Sequence, residues 1–455
     1  MKTKKISWIM FICSLLFNYQ QIKAQCMAVG NGTNGSVQCL YPDSIRNCLF
    51  IGGGFKYSGD ETINYCGFWD DSIYNPMTMN GFNGCNDSVW CYTMFNGNLY
   101  VGGSFTLAGG VTCNHIARWD GSSWFAVGNG FNHTVHSLAV YNNELYAGGE
   151  FTVSGTNSVN YIAKWNGLQW NQLAGGTNDD AETMCIWNNA LYIGGDFTMA
   201  GGIIVNRICK WDGGVFSSLG NGFTIGMMGQ CKIKSLCIYN GNLFASGMFD
   251  HSGTMDVQNI AMWNGSVWSS IGNIGGAMMG ANIVTSMCTY SGNLFIGGNF
   301  GTCASLPANN LAMWNSSTWS NIGTGMNGMV NSLAVYHNQL YIAGLFSTAT
   351  ETSANNIAKY TQASGFEPIY ANNNSLTVYP YPGSRNININ FNLKSAGQTT
   401  FELIDLAGKV VFYKIASFPQ GVSVEVVDIS GFAKGSYLIR VLSKSGSETR
   451  KISIE

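Results

Sequence analysis

Charge is scarce in this chain: Lys, Arg, Asp and Glu together make up 10% of the 455 residues, where ordinary globular proteins carry about a quarter. Residues 25–375 hold 9 Lys+Arg against 18 Asp+Glu, a net of −9. A phosphate-binding surface needs clustered cations, so this balance argues against nucleic acid as a partner. Beyond the first residues no apolar run is long enough to cross a bilayer, so no transmembrane helix is expected. Also missing are a nucleophile elbow, a phosphate loop, and the helix that must follow a dinucleotide fingerprint. The sequence therefore assigns no catalytic residue, no cofactor and no metal.

The absences are uneven along the chain. Residues 376–455 contain no Met, Cys or Trp and carry 9 Lys+Arg against 6 Asp+Glu, a net of +3. The break implies two domains. At the other end, Lys2, Lys4 and Lys5 precede an apolar run from Ile6 to Leu16 and then Ala24. That order reads as a secretory leader over 1–24. The expected organisation is a leader over 1–24, a main domain over 25–370, a linker over 371–375 and a tail domain over 376–455.

What is abundant is glycine, with 58 residues, and it is periodic. The string Leu-aromatic-x-Gly-Gly-x-Phe recurs with some drift, its Phe at Phe55, Phe105, Phe151, Phe197, Phe249, Phe300 and Phe346. Fourteen residues after each comes an aromatic: Trp69, Trp119, Trp165, Trp211, Trp263, Trp314 and Tyr360. Five further on, six copies have a second one, at Tyr74, Trp124, Trp170, Phe216, Trp268 and Trp319. Each copy contains four short apolar stretches, for example around Leu138–Tyr141, Leu145–Phe151, Ile162–Trp165 and Trp170–Leu173. Pairs such as Asp120-Gly121 and Asn166-Gly167 separate the third from the fourth and read as hairpin turns with positive φ at both positions.

Seven four-stranded units that cannot each bury two faces predict an all-β, seven-bladed β-propeller. Met27 to Gly32 matches Phe125 to Gly130, the fourth strand of a copy. The N-terminal strand is therefore expected to close the last blade, leaving few open edges. The Gly-Gly-x-Phe and Trp-Asp/Asn-Gly spelling resembles kelch-like propellers, and most nearly the Rax2-like cell-surface repeat group, over about residues 26–365.

In the tail, apolar and polar residues alternate over Asn386–Phe391, Phe401–Ile404 and Tyr437–Val441, which predicts a small Ig-like β-sandwich. Its landmarks are Val378-Tyr379-Pro380, Asp405 to Lys409, Asp428-Ile429-Ser430, Gly435-Ser436-Tyr437 and Lys451-Ile452-Ser453. In this order they resemble the C-terminal sorting domain of the type IX secretion system, with Tyr381 where that family usually has Asn. The resemblance implies a Bacteroidota-like exported protein, passing through the periplasm to be released or attached at the outer cell surface, with the secretion machinery as partner of residues 376–455.

Length variation is confined to one segment of the repeat. From the second aromatic to the aromatic of the next Leu-aromatic pair the spacing is 22 for Trp124 to Tyr146 but 28 for Phe216 to Phe244. In a propeller these loops open on one face, where binding residues vary without disturbing the blades. The candidate ligand-binding residues in them are Asn86, Asp87, His133, His136, Asp179, Asp180, Glu182, Met228, Lys232, Met279 and Asn282. Met227-Met228, Met278-Met279 and Cys231 admit a soft-metal site, but apolar loop packing explains them as well. His133 and His136 admit a metal or a solvated turn. The Asp of the Trp-Asp-Gly turn alternates with Asn166, Asn264 and Asn315, so it is a turn-former and not a base.

Cysteines are numerous, 14 in all. Cys185, Cys237, Cys288 and Cys209 fall where other copies have Ala, as small buried residues. Cys39 with Cys48, and Cys85 with Cys91, are near enough in sequence to form disulfides in an oxidising compartment, although spacing does not fix pairings. The expected function is an exported binding protein for carbohydrate or protein, without catalysis. The alternatives are a carbohydrate-active enzyme with a site at the central channel, and a structural surface spacer.

Overall fold

The computed structural model describes residues 25–226, 230–277, 280–361, 377–380, 386–393, 395–405, 409–444 and 446–454. The leader, the 371–375 linker, Met227, Met228, Met278, Met279, Tyr381 and residues 406–408 lie outside them. The chain divides into two compact units, Met1–Ala363 and Ser364–Glu455.

Among the described residues the first unit contains seven four-stranded antiparallel sheets. The third shows the pattern: Val135–Tyr141, Glu144–Gly149, Ile162–Trp165 and Trp170–Gln172 pair in chain order. Six sheets are built this way. The seventh takes Met329–Tyr336, Gln339–Leu345 and Ile357–Thr361 from the end of the unit, and its outer strand is Gln25–Ala28, with Cys26 opposite Tyr360.

First strands of consecutive sheets contact one another, and Val37–Asp43 of the first sheet also contacts Met329–Tyr336 of the seventh. There Asn331 Nδ2 donates to the Val37 carbonyl at 3.1 Å and Tyr336 Oη to the Asn47 carbonyl at 3.0 Å. The repeated Phe is buried in every sheet. The fourth-strand aromatic joins neighbouring repeats: Trp124, Trp170, Trp268 and Trp319 donate their indole N–H to the carbonyls of Met77, Val127, Leu219 and Ile271. Tyr74 does the same through its hydroxyl, to Val29. Each such ring both removes roughly 150–250 Å² from water and satisfies its polar atom.

Two sequence expectations need correction. The turns with left-handed φ at both central positions join the first and second strands, as at Asn142-Asn143 (φ 49° and 58°) and Asn188-Asn189 (45° and 56°). Between the third and fourth strands the loop has four residues, and only its second is left-handed, for example Gly121 at 109°. Asp120 Oδ1 accepts from the N–H groups of Ser122 and Ser123, and Asn166 Oδ1 from those of Leu168 and Gln169. Only an accepting oxygen is needed, which is why Asp and Asn interchange there. The second correction concerns cysteine. All thirteen described cysteines are unbridged here, Cys39, Cys48, Cys85 and Cys91 among them, and the hairpin register sets Cys39 opposite Gly52 but Cys48 opposite Asp43. Cys209 is buried as expected, whereas Cys185, Cys237 and Cys288 are half-buried although Ala139 and Ala334 at the same first-strand position are buried.

The second unit holds a three-stranded sheet (Thr377–Pro380, Asn386–Leu393, Gly421–Asp428) and a four-stranded one (Val410–Phe418, Gly397–Ile404, Gly435–Ser443, Gly446–Ile454). Ile387, Ile389, Phe391 and Val427 of the first share a core with Phe401, Leu403, Ile439 and Val441 of the second.

Candidate functional site

Every first strand of the first unit has a register shift near its start, where one extra residue bulges out of the ladder. The residue before the bulge is always a buried aliphatic: Val37, Val89, Val135, Ala181, Ile233, Val284 and Val330. The Gly-Gly of the repeat is the other half of this geometry. A Cβ on Gly149 would lie 2.1 Å from the Thr134 carbonyl oxygen, and one on Gly195 would lie 2.0 Å from that of Asp180, so the bulge forms only opposite glycine.

The seven bulged residues are Gln38, Trp90, His136, Glu182, Lys234, Thr285 and Asn331. No two are alike. Three sheets carry the charged side of this set. Glu150 accepts from His136 Nε2 at 3.1 Å through one oxygen and pairs with His133 Nδ1 through the other. His136 Nδ1 faces Glu182 at 3.9 Å, and Glu182 pairs with Lys234. The Trp90 ring meets His136 edge-on at 5.4 Å and is fixed by its N–H on Ser104 Oγ at 3.0 Å. Lys232 lies 3.5 Å from Asp196, whose carbonyl accepts from Arg207. The remaining sheets contribute neutral groups: Thr285 Oγ1 donates to Val330, Asn331 Nδ2 to Ser36 Oγ, and Gln38 Nε2 to the same Ser36.

Neighbouring carboxylates in the charged side are pushed apart. Hydrogen bonding from His136, helped by the charges of both histidines, holds Glu150 down at about 2. Burial, then the charges of Asp179, Glu150, Glu182 and Asp196, pushes Asp180 up to about 6. Burial also raises Asp196, against the pull of Lys232.

Of the loop candidates, the structure gathers His133, His136, Asp180, Glu182 and Lys232 here. Asn86 is elsewhere in role. Its Oδ1 accepts from the N–H groups of Thr106 and Leu107, and Asn34, Asn132, Asn178 and Asn327 make the same pair of bonds in their own repeats. It is a loop clamp. Asp87 accepts from Ser88 N, Asp179 from Asp180 N and Asn282 from Ala277 N, each within its own loop. Met228 and Met279 lie outside the described residues. Sequence reasoning missed Trp90, Glu150, Asp196 and Lys234. A signal existed for two of them: Glu150 and Asp196 occupy the variable position of Gly-Gly-x-Phe.

A groove of about 870 Å³ lies between the first and last repeats, lined among others by Asn31, Asn34, Asn355 and Asn356. Its amides are engaged with backbone: Asn34 with Lys56 and Tyr57, Asn355 with Asn31, and Asn356 with Thr33. Among the described residues no group of three His, Cys, Asp or Glu side chains is arranged to hold a metal ion, and no helix is long and apolar enough to cross a membrane.

Comparison with known families gives a match in each unit. Residues 377–455 match the secretion system C-terminal sorting domain, and residues 96–119 match a β-propeller domain of unknown function, DUF5122. The chain is a β-propeller protein with a secretion-sorting tail. That tail marks it for secretion or the outer surface. Curated proteins give no match. Among solved structures, a GH74 enzyme of Niastella koreensis aligns at 12% identity and a TM-score of 0.41, over 94% of this chain and 73% of that one. A glycoside hydrolase family 32 protein of Bifidobacterium adolescentis aligns at 9% identity and a TM-score of 0.19, over 95% of each chain.

Proposed function

We propose that the seven sheets are the blades of a closed seven-bladed propeller, exported with a leader over 1–24 and an Ig-like sorting tail, and that it binds a polar ligand of the carbohydrate class where the bulged residues converge. One observation carries this reading: in a chain that otherwise copies itself, the bulge position holds seven unlike polar or aromatic side chains. Packing needs the aliphatic before it and the glycine opposite it, and leaves the bulged side chain free to differ. A site with one aromatic wall, Trp90, and donors and acceptors at fixed places suits a hydroxyl-rich ring. Screening the full chain on glycan and peptide arrays tests it: glycan signal is expected, reduced at least tenfold by Trp90→Ala and by Glu182→Gln. Peptide binding alone, or glycan binding indifferent to both substitutions, contradicts it.

A second reading is hydrolysis at the same place. It is favoured by the opposed shifts of Glu150 and Asp180, since two carboxyls held apart in proton affinity are the ingredients of acid and base roles. Turnover of a bound glycan that disappears in Asp180→Asn, with binding kept, would favour this second reading.

A further inference from the structure

Cys66 and Cys85 are both buried, and their sulfurs lie 3.7 Å apart. Neither position is cysteine in any other repeat. Cys66 opens the third strand of the first sheet, where the other six have Ile116, Ile162, Ile208, Ile260, Leu311 and Ile357. Cys85 lies on the segment crossing to the second repeat, its N–H donating to the Asn64 carbonyl at 3.1 Å. Phe131, Thr177, Phe223 and Met326 make that same bond to Asn114, Asn160, Asn206 and Asn309. A contact between repeats that is apolar at Phe131, Phe223 and Met326 has thus become a thiol pair at both of its ends, and in one repeat only.

Of the neighbouring cysteines, Cys39 and Cys91 turn their sulfurs to backbone carbonyls. Cys39 Sγ points to the Val89 carbonyl at 3.7 Å and Cys91 Sγ to the Val135 carbonyl at 3.9 Å. This geometry replaces the Cys85–Cys91 pairing that sequence proximity suggests.

We propose that Cys66 and Cys85 close to a disulfide in the exported protein, stapling the first repeat to the segment that enters the second. The sorting tail takes the chain out of the reducing cytosol, into surroundings where such bonds persist. One thiolate attacks a disulfide-bearing oxidant and releases one of its sulfurs as a thiolate; the second cysteine thiolate then displaces the oxidant's other sulfur. Two protons leave the cysteines and two electrons reduce the oxidant to its dithiol. The step occurs before the repeats finish packing, because neither sulfur is reachable afterwards.

The test uses the full chain collected from culture medium, denatured in iodoacetamide without reductant, digested and analysed by mass spectrometry. The peptides of Cys66 and Cys85 are expected linked to each other, with two fewer alkylated cysteines than after reduction. Both peptides alkylated without reductant, or either linked to another cysteine, overturns the proposal. The paired variant Cys66→Ile with Cys85→Phe rebuilds the contact of Ile116 and Phe131. Reductant should lower the melting temperature of the native chain and leave that of the variant unchanged; a native chain indifferent to reductant contradicts the staple.

Discussion

The fourth-strand aromatic and the first-strand bulge recur with the same period, and they vary in opposite ways. At the first, five of the six sheets built from contiguous chain keep Tyr or Trp with its polar atom on a carbonyl one repeat back, and the sixth has Phe216. At the second, no residue type occurs twice. A position whose side chain must fill the space between repeats is held to one shape. A position that the ladder has already ejected is under no such demand, so its chemistry is available for recognition.

Substitutions can break that contrast, and the largest effect belongs to the packing position. Trp170 is fully buried, so Trp170→Ala should cost about 3–5 kcal/mol, read as a lowered urea midpoint; a loss within about 0.5 kcal/mol would mean the ring is not what joins the repeats. Trp90→Ala should do the reverse. Ligand affinity is expected to fall by at least tenfold, or about 1.4 kcal/mol, while the urea midpoint falls less than in Trp170→Ala.

A smaller effect separates clamp from site. Asn132→Ala removes an acceptor from the N–H groups of Thr152 and Val153, at a cost of about 1 kcal/mol in stability, with glycan binding unchanged. Asn86→Ala should behave alike, and a selective loss of binding there would return Asn86 to the site.

The last effect is a pH dependence. Asp180 has its proton affinity raised from 3.8 to about 6, so within that window the folded chain keeps a proton that the unfolded chain has lost. Stability from this group is therefore lost as pH rises through the window. Asp180→Asn should raise the melting temperature at pH 7 and leave it unchanged below pH 3.8. Glu150, lowered from 4.5 to about 2, has the opposite sign: its contribution is complete above 4.5 and is lost as pH falls towards 2, and Glu150→Gln should remove that acid sensitivity.

These residues also show how far the amino-acid sequence alone specifies the fold and the candidate site. Seven copies, four strands each and an N-terminal strand completing the last sheet were visible because buried aromatics and glycines repeat at fixed spacing, although the strand spans Gln25–Ala28 and not Met27–Gly32. His136, Glu182, Asp180 and Lys232 were visible only as polar residues in loops of variable length. Trp90 and Lys234 were hidden, since each falls just inside an apolar strand and reads as part of it until the bulge register is known. The turn chemistry was misread for a related reason. Asp120-Gly121 has the spelling of a two-residue hairpin, but the facing of Trp119 and Trp124 leaves four residues to close, and a side-chain oxygen does the work of a second left-handed residue. The approach of the Cys66 and Cys85 sulfurs to 3.7 Å was not legible from spacing, because the fold brings them together across a repeat boundary.

The most direct test is diffraction from the full chain crystallised with the glycan it binds most strongly. The account predicts ligand density against Trp90 and within hydrogen-bonding distance of His136, Glu182 or Lys234. Density lodged instead in the groove of Asn31, Asn34 and Asn355, with the bulged residues untouched, would contradict it.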